Sequence, residues 1–102
     1  MGRKQPRDVA RIEALEEAGL EGIVSRRAAG FFHYLKRLKA GSVVLCRVEV
    51  FAFAVRRQRK TWLESSERDR RWFAAERAIE LVREPELKEL IATVARDILQ
   101  RD

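Results

Sequence analysis

The feature that most constrains the fold is a largely apolar stretch at residues 43–55, which runs directly into four basic residues among positions 56–60. Five of its thirteen residues are valine, and the segment Arg47-Val48-Glu49-Val50 alternates charged and apolar side chains. Valine enrichment and a period of two are typical of β-strands. The sequence therefore predicts a strand here, paired in a hairpin with residues 60–63 through a turn at residues 56–59.

Four other segments carry helix signals. The first covers residues 8–19, from a capping Asp to a terminating Gly, and the second covers residues 25–41, from a Ser to a Gly. The third begins at residue 66 with a sequence that resembles a capping box, and it ends before Pro85. Pro85 suits the first turn of the fourth helix. That helix has the cleanest apolar stripe, made of Leu87, Leu90, Ile91, Val94, Ile98 and Leu99.

The length of 102 residues leaves room for one domain with one core. We predict a single α+β domain over residues 1–102, in which about four short helices pack around a small antiparallel β hairpin or sheet, with residues 1–7 as a flexible basic arm. An all-α five-helix bundle is the alternative, because residues 43–63 also contain apolar residues at helical spacing. A lone hairpin is marginal in water, so we expect a homo-oligomer, either a dimer or a tetramer.

The formal net charge of +6 is unevenly placed. Residues 22–48 contain six bases and no acid, namely Arg26, Arg27, Lys36, Arg37, Lys39 and Arg47. A positive field that is not cancelled locally favours a polyanionic partner. The alternative is a helical adaptor or assembly subunit whose basic face meets an acidic protein. Strong charging of both signs, with one Cys and one Met, is compatible with a thermophilic source.

Little in the sequence indicates catalysis. One His and one Cys cannot form a mononuclear metal site of the His/Cys type, and no phosphate loop, nucleophile elbow or dinucleotide fingerprint is present. The acids fall mostly on predicted exposed helix faces among arginines. Arg27 and His33 have the spacing of the Arg/His pair of small helical ribonucleases, which is a minor alternative. We therefore predict a protein that is not an enzyme and uses no cofactor, metal or small-molecule substrate.

The predicted strand places aromatic rings between cations on one face. Phe51 and Phe53 would stack on unpaired bases while neighbouring arginines contact phosphates. A core position for both phenylalanines is the alternative. The predicted nucleic-acid-binding residues are Arg47, Phe51, Phe53, Arg56, Arg57, Arg59, Lys60 and Trp62.

An Arg-rich chain of this length, with four short helices around the β segment CRVEVFAFAVRRQRKTW, resembles the ThermoDBP-related single-stranded-DNA-binding proteins of hyperthermophilic archaea. The resemblance lies in the overall profile, and no residue is carried over by motif. It implies an oligomer that binds single-stranded DNA with little sequence preference, through the basic and aromatic residues of a cleft.

The sequence thus predicts non-catalytic, largely sequence-tolerant binding of single-stranded nucleic acid, with DNA favoured over RNA. No apolar run follows the first residues, and no stretch reaches the length of a membrane span. We therefore expect a cytoplasmic protein with no membrane partner.

Overall fold

The computed structural model describes residues 4–99 and confirms the α+β class. Its elements in chain order are α1 (Pro6–Ala18), β1 (Leu20–Val24), β2 (Gly30–Arg37), a 3₁₀ turn (Lys39–Gly41), β3 (Val43–Val50), β4 (Phe53–Gln58), α2 (Ala75–Leu81) and α3 (Pro85–Leu99). The described residues thus contain three α-helices and two small sheets, where the sequence predicted about four helices and one sheet.

Two compact units make up the chain, and each combines two segments of the sequence. The first unit contains the described part of residues 1–28 together with residues 51–72, and the second contains residues 29–50 together with the described part of residues 73–102. Of the predicted N-terminal arm, Pro6 and Arg7 belong to α1, whereas residues 1–3 lie outside the described residues. The single domain over residues 1–102 stays a prediction.

The first unit is built from α1 and the antiparallel pair β1–β4. Helix α1 has Pro in its first turn and ends at Gly19, whose φ of 65° is left-handed, so the predicted helix end is confirmed. Strand β1 pairs Leu20 with Gln58 and Val24 with Phe53, across a bulge that follows Glu21. A side chain at position 22 would overlap a carbonyl oxygen of β4, so the bulge requires glycine there.

The second unit contains the regular hairpin β2–β3 with helices α2 and α3. Helix α3 begins at Pro85, as the sequence predicted. Close packing joins it to β2, since a Cβ built on Gly30 would lie 2.5 Å from a methyl carbon of Leu90. The ammonium of Lys88 donates a hydrogen bond of 2.5 Å to the carbonyl oxygen of Ile79, near the end of α2.

The predicted second helix is wrong, because residues 30–37 form a strand. Their phenylalanines and leucines fit helical spacing, but every position from Gly30 to Arg37 pairs with β3, down to Arg37 opposite Val43. The prediction that residues 43–55 form a β-strand is correct, but the predicted pairing with residues 60–63 is wrong. The stretch breaks into β3 and β4, which pair with β2 and β1, and residues 60–63 are not a strand.

The predicted third helix is also wrong at its start. No helix begins at Ser66, and α2 begins at Ala75. Residues 59–74 contain neither helix nor strand. A turn closes where the Arg68 N–H donates to the Glu64 carbonyl, and several other polar groups of the segment bond to α1.

Burial is shallow throughout the described residues. Val24, 5% exposed, is the one hydrophobic residue among them that is buried. Large apolar side chains are instead exposed along the hairpin, including Leu35 at 70% and Leu45 at 67%. In residues 4–99 no helix has both the length and the apolar character needed to cross a membrane.

Candidate functional site

Helix α1 presents a face of carboxylates. Glu13, Glu16 and Glu17 are spaced three and four positions apart, which places them on one side of the helix. Glu13 and Glu16 are exposed, and Glu17 is half-buried.

A groove of about 410 Å³ runs beside α1 in the first unit. Glu13 and Glu17 are its two charged lining residues. The remaining lining is apolar and comes from both the helix and the strands: Ala10, Ala14, Ala18, Leu20, Val24, Phe51 and Phe53. Two carboxylates therefore face an apolar-walled space that is large enough for a small molecule.

The C-terminal end of α1 is held by residues 59–70, which we name the clasp. The last carbonyl groups of a helix have no partner within the helix. Here four consecutive carbonyls accept hydrogen bonds from the clasp: Glu16 from the Glu64 N–H at 3.0 Å, Glu17 from the Trp62 indole N–H at 2.7 Å, Ala18 from Arg70 Nη1 at 2.7 Å and Gly19 from the Arg59 N–H at 2.8 Å.

Within the clasp, Arg70 lies over the ring of Trp62, with 4.2 Å between the guanidinium carbon and the ring centroid. A cation over an aromatic face is attracted by the ring quadrupole. The same guanidinium donates to the carbonyl oxygens of Ala18 and Arg59. Arg70 therefore ties the helix end, the start of the clasp and the indole ring together.

A second arginine of the clasp, Arg68, contacts the carboxylate of Glu17. Its Nη2 lies 3.0 Å from Glu17 Oε1, while its Nε donates to Glu64 Oε1 at 3.0 Å. The hydrogen bond with Glu64, and then the charge of Glu17, raise the pKa of Arg68. One carboxylate of the groove is thus held beside a guanidinium.

The eight predicted nucleic-acid-binding residues do not form one face. Arg47 belongs to β3 in the second unit, where its guanidinium lies 3.7 Å from the centroid of the Phe31 ring. Phe51 and Phe53 belong to the first unit and are half-buried in the groove beside α1. The predicted alternation along one continuous strand is wrong because the strand breaks at residues 51–52.

The other five predicted residues lie in β4 and the clasp. Arg56 and Arg57 are exposed and line a second groove of about 270 Å³, to which Phe53 and the 64% exposed Trp72 also contribute. The Arg59 side chain donates to Glu21 at 2.6 Å and lowers the pKa of that carboxyl. Lys60 is exposed, and Trp62 is half-buried under Arg70. Whether these eight residues contact a ligand stays a prediction.

The Arg27 and His33 pair gives no support to a helical ribonuclease. His33 lies in β2, and its Nδ1 is 3.0 Å from Glu86 Oε1, which also accepts the His33 backbone N–H at 2.8 Å. This bond lowers the pKa of Glu86. The imidazole is therefore engaged in holding β2 to the first turn of α3.

The acids of α1 beside the groove are not among the residues that the sequence analysis selects for a site. They were assigned to a solvated helix face because they lie among basic residues. The spacing of Glu13 and Glu17, followed by a glycine that ends the helix, was the available signal. Spacing alone could not show that a groove lies beside them, because its other wall comes from strands distant in the sequence.

Comparison with known proteins connects the chain to hydrolases. It is 34% identical over 83 residues to the Arabidopsis thaliana protein named Nudix hydrolase 13, mitochondrial, a match that covers 74% of this chain and 40% of that relative. It is 31% identical over 87 residues to Nudix hydrolase 16, mitochondrial, of the same plant, covering 83% of this chain and 48% of the relative. Nudix hydrolase 12, mitochondrial, also of that plant, is 33% identical over 81 residues, or 74% of this chain and 39% of the relative.

The chain spans less than half the length of these relatives. No family model matches it. No solved structure matches it.

These relatives overturn the function predicted from sequence. The resemblance to ThermoDBP-related proteins and the prediction of non-catalytic single-strand binding are wrong, since the relatives are named as enzymes. The prediction that the protein is not an enzyme and the prediction that it has no small-molecule substrate fail for the same reason. The thermophilic and cytoplasmic assignments are also contradicted, because all three relatives are named mitochondrial proteins of a plant.

Proposed function

We propose that this chain contributes to a small-molecule hydrolase and that α1 supplies its reactive carboxylates. The observation that supports this proposal is the similarity to three proteins named as hydrolases, which covers 74–83% of the chain. The first unit offers a groove lined by two acids, an arrangement suited to hydrolysis.

Glu13 and Glu17 have different surroundings, and we propose different roles for them. Glu17 is half-buried, and the guanidinium of Arg68 orients its carboxylate. Glu13 is exposed and has no ion-pair partner among residues 4–99. An unpaired carboxylate can accept a proton from an attacking water, so Glu13 is the proposed general base. Glu16 is a third carboxylate on the same face.

A divalent cation fits this donor set. Within the described residues no group of three or more acids, histidines or cysteines is close enough to hold a metal. Mg²⁺ needs fewer protein ligands, because it keeps several waters and is generally bound through one or two carboxylates and substrate oxygens. Glu17 would hold it, which leaves the Glu13 carboxylate free as the base, and the cation would supply charge neutralisation and a more acidic water.

The charge of the neighbouring surface supports an anionic substrate. The exposed guanidiniums of Arg56 and Arg57 line the second groove, and Phe53 contributes to both grooves. Planar guanidiniums match the oxygens of phosphate and carboxylate groups. We therefore propose that these two arginines contact the negative groups of the substrate.

Turnover by the purified chain tests this proposal. The substrates are a panel of anionic small molecules with phosphoanhydride, phosphoester or carboxylic ester bonds, supplied with Mg²⁺ and followed by chromatography. We expect cleavage of at least one bond class, and we expect Glu13→Gln to lower kcat by about 10²-fold or more, the usual range for loss of a general base. Chelation of the cation should remove activity.

Glu89→Gln is the matched control, because Glu89 is an exposed glutamate on α3 and undergoes the same charge change. Its kcat should equal that of the unmodified chain. Equal activity of the Glu13→Gln, Glu17→Gln and control variants would remove α1 from the site. Absence of turnover on every bond class would remove the hydrolase proposal for this chain.

A further inference from the structure

The clasp bonds to more of the carbonyl groups at the end of α1 than a helix end commonly has satisfied by protein donors. Helix ends commonly leave their last carbonyls to water or to a single capping residue. In this protein four consecutive carbonyls, from Glu16 to Gly19, each bond to a donor of residues 59–70. Donors of a segment without helix or strand thus hold the last turn of α1, and that turn carries Glu17, one of the two groove carboxylates.

Glu17 is held at two points by the clasp. The indole N–H of Trp62 donates to its carbonyl oxygen at 2.7 Å, and Arg68 lies 3.0 Å from its carboxylate. Main chain and side chain of one groove residue are therefore positioned by the same segment. A shift of the clasp would move both groups of Glu17 together.

Arg70 keeps Trp62 in place. Its guanidinium lies over the indole ring, and its Nη1 donates to the neighbouring carbonyl of Ala18. The packing against the helix end is close, since a Cβ on Gly19 would lie 2.9 Å from both Arg70 Nη1 and Trp62 Cε3. The left-handed glycine thus gives the arginine and the indole access to the helix terminus.

We propose that Arg70 and Trp62 are positioning residues, which fix the last turn of α1 so that Glu13 and Glu17 keep a productive arrangement in the groove. This inference rests on the proposed hydrolase function. Neither residue lines that groove, so each acts through α1 and not by contact with a substrate. Misplacement of reacting groups by a fraction of the reaction distance carries a large loss of rate.

Three variants test the inference. Arg70→Ala should lower kcat by about 10- to 100-fold with KM within about twofold, because the carboxylates lose their placement while the substrate contacts stay. Trp62→Phe keeps an aromatic ring but removes the indole N–H that donates to Glu17. It should lower kcat by about tenfold. Arg70→Lys retains a cation that can reach Ala18 but lacks the planar fork, so it should recover part of the lost rate.

Arg71→Ala is the matched control, since Arg71 is the adjacent arginine and is exposed. Its kcat should be unchanged. Circular dichroism establishes that each variant is folded, and the milder Trp62→Phe change replaces Arg70→Ala if the latter unfolds. A kcat for Arg70→Ala or Trp62→Phe equal to that of Arg71→Ala would overturn the inference while leaving the hydrolase proposal intact.

A second readout separates this inference from the proposed function. Carboxyl ¹³C chemical shifts of Glu13 and Glu17, compared by NMR at one fixed pH, report their surroundings whether or not the chain turns over a substrate. We expect Arg70→Ala to move both signals and Arg71→Ala to leave them in place. Unmoved signals overturn the positioning role. If the chain shows no turnover but the signals move, the hydrolase proposal fails and the clasp still positions the carboxylates.

Discussion

The C-terminal end of α1 and the tip of the β2–β3 hairpin use their side chains in opposite ways. At the helix end, four carbonyl groups are bonded to the clasp, and Trp62 and Arg70 close over a glycine. At the hairpin tip, the directly paired Leu35 and Leu45 are 70% and 67% exposed. One region is ordered by specific polar contacts, and the other by a backbone ladder alone.

The comparison shows that a regular backbone and firmly packed side chains do not occur in the same region. The hairpin is the more regular element, with eight consecutive paired positions, yet its side chains pack little. The clasp has no regular secondary structure, yet its donors and ring are fixed against α1. Substitutions that change a side chain should therefore matter at the clasp and be tolerated at the hairpin tip.

Substitution of Gly19 gives the largest expected effect on this comparison. Gly19→Ala places a Cβ in the left-handed region and 2.9 Å from Trp62 Cε3 and Arg70 Nη1. The conformational cost is about 1–2 kcal/mol and the overlap adds about 1–3 kcal/mol. We expect the free energy of unfolding, measured by urea denaturation, to fall by about 3.5 kcal/mol, the middle of that combined range.

Gly41→Ala is the control for the conformational cost of placing a Cβ at a positive φ. Gly41 also has a positive φ, of 85°, but a Cβ there would have no neighbour within 4 Å. Its loss should be limited to about 1 kcal/mol. Equal losses for the two variants would show that the clasp is not packed against Gly19.

Truncation of apolar side chains provides the second test, with a smaller effect. Val24→Ala removes two methyl groups from the buried position of the first unit and should reduce unfolding free energy by about 2 kcal/mol. Leu35→Ala removes more carbon from an exposed position and should change it by less than about 0.5 kcal/mol. A large loss from Leu35→Ala in chemical denaturation would mean that the hairpin tip is packed in solution.

The fold could be predicted from sequence where the signal is local. Gly19 and Pro85 mark helix boundaries through their own backbone preferences, and both were read correctly. Residues 30–37 were read as a helix because their apolar spacing fits a period of 3.6, and nothing local to them shows that β3 supplies a complementary ladder. The residues after Gln58 were misread for a similar reason, since their donors bond to a helix about 45 positions away.

The candidate site was less accessible to sequence reasoning than the fold. The functional prediction is based on the arginines and aromatic residues near β4. The acids of α1 are predicted to lie on a solvent-exposed helix face. Half-burial of Phe51 and Phe53 beside Glu13 and Glu17 depends on a strand meeting a helix from a distant part of the chain. The spacing in the sequence places the carboxylates on one face of the helix. The groove forms only because residues distant in the sequence pack beside that helix.

The smallest expected effect is a pH dependence of stability, which we expect from one carboxyl in each unit. The Arg59 hydrogen bond lowers the pKa of Glu21 in the first unit, and the His33 hydrogen bond lowers the pKa of Glu86 in the second. A carboxyl with a folded pKa below its unfolded value stabilises the protein above the unfolded value, here near 4.5, and loses that contribution as pH falls through the folded pKa. The melting temperatures of Glu21→Gln and Glu86→Gln should lie slightly below that of the unmodified chain at neutral pH and converge with it under acid conditions. High salt should shrink both differences, because the groups are exposed and screened. A gap that widens as the pH falls below 4.5 would contradict the lowered pKa values of the two carboxyls.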